Sequence, residues 1–215
     1  MAKLSFFLLL FFTMPYQYVN AQSDTDSIQL TKEYINLDDA LLNPENVYRL
    51  NLSNQNLEIS DTIWSKFPNL RYLSLKNDHR KQIPKGIGNL KNLRVLDLSG
   101  NDFEILPQTF SNLTNLQELY LNDDKYFQLN KSISILSQLP NLKSLHLEND
   151  GLTKLPKNIV KLKHLESLYL NNNQFKKFPN EIKGLKNLKY IDFHDNKFII
   201  PQSMNDQFLG IKITF

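Results

Sequence analysis

The chain has 215 residues, of which 25 are basic and 22 acidic, for a net charge of +3. That small, dispersed excess gives no electrostatic reason to expect nucleic acid, while 41% hydrophobic and 22% charged residues fit a packed core under a soluble surface, in one or two domains. Cysteine is absent, which excludes disulfides, thiolate metal sites and a cysteine nucleophile.

Lys3 precedes the apolar run LSFFLLLFFTM, then come Pro15 and a more polar stretch ending VNAQ. A charged start, a short apolar segment and small residues before a cut are the pattern of a secretory signal peptide. The pattern predicts a signal peptide over 1–21, with Val19 and Ala21 at the positions the peptidase reads and Gln22 starting the mature chain. The alternative, a membrane anchor, fails on length, because the run is well short of the roughly 20 residues needed to span. No cysteine follows it, which disfavours a lipid anchor.

Residues 22 to about 32 are polar and read as a flexible leader. NLDDALLNPENV then predicts a capping helix, so that leader and cap together occupy 22–46. Asn36 is its expected N-cap, Asp38 and Asp39 sit in the favourable first turn, and Pro44 stops it. Leu37, Ala40 and Leu41 are placed to cover the end of the core that follows.

A repeated pattern starts at Val47. Its first unit keeps Leu50, Leu52 and Leu57 but has Gln55 where later units have Asn or Asp. The stretch SDTIWSKF that follows places Ile63, Trp64 and Phe67 at helical spacing behind Ser60 and Asp61, which suit a cap, and Trp64 reads as a core plug. The unit from Leu70 runs Leu73, Leu75, Asp78, Ile83-Pro84, Ile87 and Leu90, with Arg80 as a charged misfit. From Leu93 the same slots hold Leu96, Leu98, Asn101, Phe103, Leu106-Pro107, Phe110 and Leu113. The unit from Leu116 is longer, reaching Leu142 after 26 residues instead of 23. It keeps Leu119, Leu121, Asp124, Tyr126 and Leu129, has Asn130 in place of proline, and continues Ile133, Leu136, Leu139, which predicts an extra turn on the return side. Regular units start again at Leu142 and Leu165, the latter with Leu168, Leu170, Asn173, Phe175, Phe178-Pro179, Ile182 and Leu185. The last full unit has Leu188, Ile191, Phe193, Asn196 and Phe198, with Pro201 one residue early. FLGIKITF then offers Phe208, Ile211 and Ile213 as a closing strand over 208–215.

These residues resemble the leucine-rich repeat family in its 23-residue form, Leu-x-x-Leu-x-Leu-x-x-Asn-x-Leu-x-x-Leu-Pro-x-x-Ile-x-x-Leu. The resemblance covers nearly everything after Asn46. It implies an α/β repeat solenoid with repeats over 47–207, curved as a horseshoe. A concave parallel β-sheet would face short helical, 3₁₀ or extended convex segments. The spacing has a physical reason. The last two leucines of Leu-x-x-Leu-x-Leu are two apart and so share one face of a strand. The Asn or Asp three positions on suits a tight turn in which a short polar side chain bonds backbone. The Ile and Leu after Leu-Pro are three apart, as a 3₁₀ turn requires. One unit cannot bury its own apolar face, so the units must stack.

Strand positions between the leucines face away from the core and form the candidate site. One column reads Asn51, Ser74, Asp97, Tyr120, His146, Tyr169, Asp192 and Lys212. The column two residues earlier reads Arg49, Tyr72, Val95, Glu118, Ser144, Ser167, Tyr190 and Gly210. Tyr72, Asp97, Tyr120, His146, Tyr169, Tyr190 and Asp192 are the partner-binding candidates, because tyrosine offers contact area and a hydroxyl at low entropy cost. Their rival role is that of half-solvated residues with high β-propensity. No catalytic, cofactor or metal residues are assigned. No serine is forced against a base and no glycine-rich loop is present. His146 and His194 sit roughly two strand spacings apart, about 9–10 Å, too far to share a zinc. Asp78, Asp124, Asp150 and Asn173 hint at calcium but fill the turn-forming slot. Lysines gather on return segments: Lys154, Lys157, Lys161, Lys163, Lys176, Lys177, Lys183 and Lys186.

The expected protein is therefore an exported leucine-rich-repeat module, periplasmic or secreted, that binds an unidentified protein on its concave face. A glycan or anionic surface is a secondary partner, and nucleic acid, a membrane span and cofactors are not expected. Exported eukaryotic members of the family often close their ends with disulfides; their absence here points to a bacterial protein. The alternative is a structural or self-associating scaffold, a monomer or a homodimer through the C-terminal strand edge. An enzyme subunit is the remaining, disfavoured possibility.

Overall fold

The computed structural model describes residues 30–198 and 210–215. The signal peptide, most of the leader, Pro201, Phe208 and any fold-back of 199–207 over the last strand lie outside them. Among the described residues, nine parallel strands form one sheet in chain order, and the parallel stacking is what the repeat implies: β1 (Glu33–Tyr34), β2 (Arg49–Asn51), β3 (Tyr72–Ser74), β4 (Val95–Asp97), β5 (Glu118–Tyr120), β6 (Ser144–His146), β7 (Ser167–Tyr169), β8 (Tyr190–Asp192) and β9 (Lys212–Thr214). Central residues pair in register, Leu73 with Leu96, Leu96 with Leu119, Leu119 with Leu145 and Leu145 with Leu168. All are fully buried, so each leucine row is a continuous seam along the stack.

The turns after β2 to β8 carry two coupled features. One residue sits in the left-handed region, with φ of +55° to +68° at Asn54, Asn77, Gly100, Asp123, Asn149, Asn172 and Asp195. Only glycine, asparagine and aspartate visit that region cheaply. After β2 the next residue is Gln55; from β3 to β8 it is the predicted Asn or Asp. Asn101 Nδ2 donates to the Leu75 and Leu98 carbonyls at 2.9 and 2.6 Å, while its Oδ1 accepts from Arg80 N at 3.0 Å. Asn173 repeats this with the Leu147 and Leu170 carbonyls at 2.8 and 3.0 Å and the amides of Asp150 and Leu152. A second asparagine ladder, which the leucine pattern does not announce, precedes β3, β4, β5, β6 and β8, while the slot before β7 holds His164. Asn92, Asn115 and Asn187 each donate to a carbonyl of the preceding coil at 2.7–2.8 Å. These ladders satisfy backbone that a short, tightly wound coil would otherwise leave unpaired.

The return segments are 3₁₀ turns, at Lys85–Asn89, Gln108–Asn112, Lys157–Lys161 and Asn180–Gly184. The long unit instead forms an α-helix. Counting α1 as Leu37–Leu41, this is α2, Leu129–Leu136, with Leu129, Ile133 and Leu136 buried on one face. Asn36 caps α1 as expected, its Oδ1 accepting from Asp38 N and Asp39 N at 2.8 and 3.1 Å.

Four local expectations are corrected. Strand β1 falls where leader runs into cap, a strand the sequence reading did not include. Ser60 and Asp61 make no side-chain cap on the 3₁₀ turn Ile63–Lys66; Asp61 Oδ1 instead accepts from Gly86 N in the next coil at 3.0 Å. Arg80 is no misfit, because its guanidinium bonds buried Asp78 at 3.1 Å and the Leu57 carbonyl at 2.8 Å. Finally, β9 is shifted by two residues. Lys212 pairs with Tyr190, Ile213 with Ile191 and Thr214 with Asp192, so Lys212, not Gly210, completes the Tyr190 column. A two-residue slip keeps every side chain on its own face, so alternation cannot detect it. The shift places Phe215 against Phe193 and Phe198, with ring centroids 6.5 and 5.7 Å apart.

Candidate functional site

Parallel pairing without stagger sets equivalent residues of successive coils side by side on the concave face. Tyr120, His146 and Tyr169 are consecutive partners across β5, β6 and β7. Their rings stack, Tyr120 on His146 at 3.9 Å and 16°, His146 on Tyr169 at 4.1 Å and 6°. Tyr190 extends the row, tilted, 5.4 Å from Tyr169. The strand spacing of about 4.8 Å is close to a ring-stacking distance, so sheet geometry alone preorganises this row.

Carboxylates bracket the row. His146 is only 7% exposed. Its Nδ1 lies 2.9 Å from Glu148 Oε1 and its Nε2 lies 3.1 Å from Glu118 Oε1. A ring carrying both protons donates to both acids; a neutral ring turns a lone pair towards one of them. Glu118 Oε1 also accepts from the Tyr120 hydroxyl at 2.8 Å. The Tyr190 hydroxyl donates to Asp192 Oδ2 at 3.2 Å, and His194 Nδ1 meets Asp192 Oδ1 at 2.7 Å. Burial, then the bond to Glu118, pushes the Tyr120 hydroxyl well above the ordinary phenol range. Burial is also the leading cause of the upward shift at Tyr169, followed by Tyr190. These hydroxyls therefore stay protonated, as donors.

The predicted residues fall into two groups. Tyr120, His146, Tyr169, Tyr190 and Asp192 form one connected surface. Tyr72 lies towards the other end, under Arg49, whose guanidinium carbon is 4.1 Å from the ring centroid. Arg49 is itself paired with Glu33 at 2.9 Å. Asp97 is spent locally, accepting from Ser99 N at 3.0 Å and from the Ser99 hydroxyl. Glu118, Glu148 and His194 were not among the candidates. Glu118 stood in the Tyr72 column, and Glu148 and His194 appear once the alternation is carried one step past His146 and Asp192. Among the described residues, no group of three or more histidines and acids is placed to hold a metal. No helix among them is long and apolar enough to cross a membrane.

Family models described as leucine-rich repeat region and leucine rich repeat match residues 46–139 and 140–198. The chain belongs to the leucine-rich repeat family. Solved structures with this leucine-rich repeat architecture include an internalin from Listeria monocytogenes, 20% identical with a TM-score of 0.59 over 83% of this chain and 49% of that one. A leucine-rich repeat protein of Leptospira interrogans is 29% identical, with a TM-score of 0.51 over 78% of this chain and 54% of its own. A Toll-like receptor 13 structure, solved in complex with single-stranded RNA, is 30% identical, with a TM-score of 0.63 over 74% of this chain and 24% of that one. The chain thus spans about half the length of the two bacterial proteins. Comparison with curated proteins finds no match. Family and fold together support a protein-interaction module built on an open sheet.

Proposed function

We propose that this leucine-rich repeat chain is an exported, non-catalytic module that binds a protein partner on its concave face, between Tyr120 and Asp192. The supporting observation is the stacked row Tyr120–His146–Tyr169, held by Glu118 and Glu148. Rigid aromatic surface binds at low entropy cost and is what interface hot spots are made of. The acids Glu118, Glu148 and Asp192 along the same floor suit a partner segment bearing arginine or lysine. Export rests on the segment from Lys3 to Ala21, and the absence of disulfides supports a bacterial periplasmic or secreted setting.

Truncating Tyr120 and Tyr169 together to alanine should weaken the partner recovered by pull-down with residues 22–215 by at least about 30-fold, or 2 kcal/mol. Both tyrosines are half-buried against His146, so a modest loss of stability, about 1 kcal/mol, should accompany it. A calorimetric titration beside a thermal melt separates the two effects. Unchanged affinity in a folded double variant would move the interface off this row.

A further inference from the structure

We infer that the flank of the coils starting at Leu142 and Leu165 carries a second interaction surface, one that binds an anionic polysaccharide. A hollow of about 490 Å³ opens there, lined by Lys154, Lys176 and Lys177, with Phe178 and Pro179 as apolar surface and Glu181 beside them. Lys154 and Lys177 lie 23 residues apart, at the same position of successive coils, so the stacking that aligns the leucines also aligns these two cations. All three lysines are exposed. None of them forms an ion pair within the described residues. This contrasts with Lys143 and Lys189, which clamp Glu166 between them and pull its carboxyl below the usual range. Three ammoniums facing one carboxylate in a recess leave an uncompensated positive field, which an external anion relieves.

The shape selects the class of anion. Phe178 lines the hollow half-buried and Pro179 is buried, so neither protrudes from the surface. A lipid surface is met by protruding apolar groups; a recess with an apolar wall and cationic rim suits a sugar ring with its sulfates or carboxylates turned outward. This surface is independent of the concave row and stands whether or not that row binds protein.

The test is a fluorescence-anisotropy titration of the full chain with a labelled heparin oligosaccharide at physiological ionic strength. K154Q/K176Q/K177Q is compared with K157Q/K161Q/K163Q, which removes equal charge from exposed lysines outside the hollow. The inference predicts heparin binding by the unaltered chain. The first variant should lose affinity at least about ten-fold and the second less than about three-fold, since only the first removes the cations that converge on one hollow. Binding should persist in the Tyr120/Tyr169 double variant, which keeps this outcome separate from that of the concave face. Equal losses in the two lysine variants would reduce the surface to diffuse attraction. Absence of heparin binding would also overturn the inference, including where phosphatidylserine vesicles bind instead.

Discussion

Replacing Leu145 by alanine should lower the unfolding free energy by about 2–5 kcal/mol. Leu145 is the middle residue of β6, fully buried, with Leu119 on one side and Leu168 on the other. Its removal leaves a cavity that parallel backbones on both sides cannot close, because their hydrogen bonds fix the coil spacing. A solenoid is stabilised by each coil and by each interface between neighbours, so a void in the middle weakens two interfaces at once. Urea unfolding followed by circular dichroism should show a lower midpoint together with a broader transition. Lys161→Ala, on the exposed convex side, should change stability by no more than about 0.5 kcal/mol. A cost below about 1 kcal/mol for Leu145→Ala would mean that this seam does not carry the core.

Replacing Asp124 and Asp150 together by asparagine should stabilise the protein and flatten its stability above neutral pH. Both stand in the turn ladder, where Oδ1 of each accepts a backbone amide, from Asn101 at 2.6 Å and from Asp124 at 2.9 Å. At Asn101 and Asn173 the other side-chain atom is an NH₂ that donates to two leucine carbonyls. At Asp124 and Asp150 it is a carboxyl oxygen, Oδ2, buried and without a partner. Burial is the main reason that these carboxyls are pushed up to about 9 at Asp124 and about 8 at Asp150, with nearby acids adding to it. Protonation turns Oδ2 into a donor, so the acid form imitates asparagine.

The sign follows from proton binding. Unfolded aspartate titrates near 3.9, below both folded values. The folded state therefore holds protons that the unfolded chain has released. Stability contributed by these groups is complete below about pH 4 and is lost as pH rises through about 8 and 9, with a slope of up to about 1.4 kcal/mol per pH unit per group. Asparagine supplies the donors at every pH, and each restored pair should be worth about 1–3 kcal/mol at pH 8. Melting temperatures from pH 5 to 9 should fall steeply for the unaltered protein and little for D124N/D150N. Parallel curves would show that these carboxyls do not titrate in that window.

The repeat exposed most of the fold to a reader of the sequence because each coil must solve the same packing problem. Leu96, Leu119, Leu145 and Leu168 occupy one slot for one reason, and the Asn36 cap and the Trp64 plug are short-range patterns of the same clarity. What stayed hidden depended on contacts between coils. Arg80 looks wrong in an apolar slot until the turn brings it onto Asp78. Strand β1 has only two residues, of which Tyr34 packs on the core, while Ile35 just beyond it is largely exposed, which inverts the expected burial of the more apolar residue. The β9 register escaped because alternation has period two and the slip was two. At the candidate site the tyrosine column was legible, since parallel register follows from the period. The clamp of Glu118 and Glu148 on His146 was not, because it joins three columns and two coils whose side chains meet only once the coils stack.

The proposed function requires the concave row at Tyr120–Tyr169 to touch a protein partner after export. A photo-crosslinking amino acid placed at Tyr169, and separately at convex Lys161, tests it most directly. Irradiation of expressing cells should yield one discrete protein adduct from position 169 and none of the same mass from position 161. No adduct from position 169, or the same adduct from both positions, would contradict the claim.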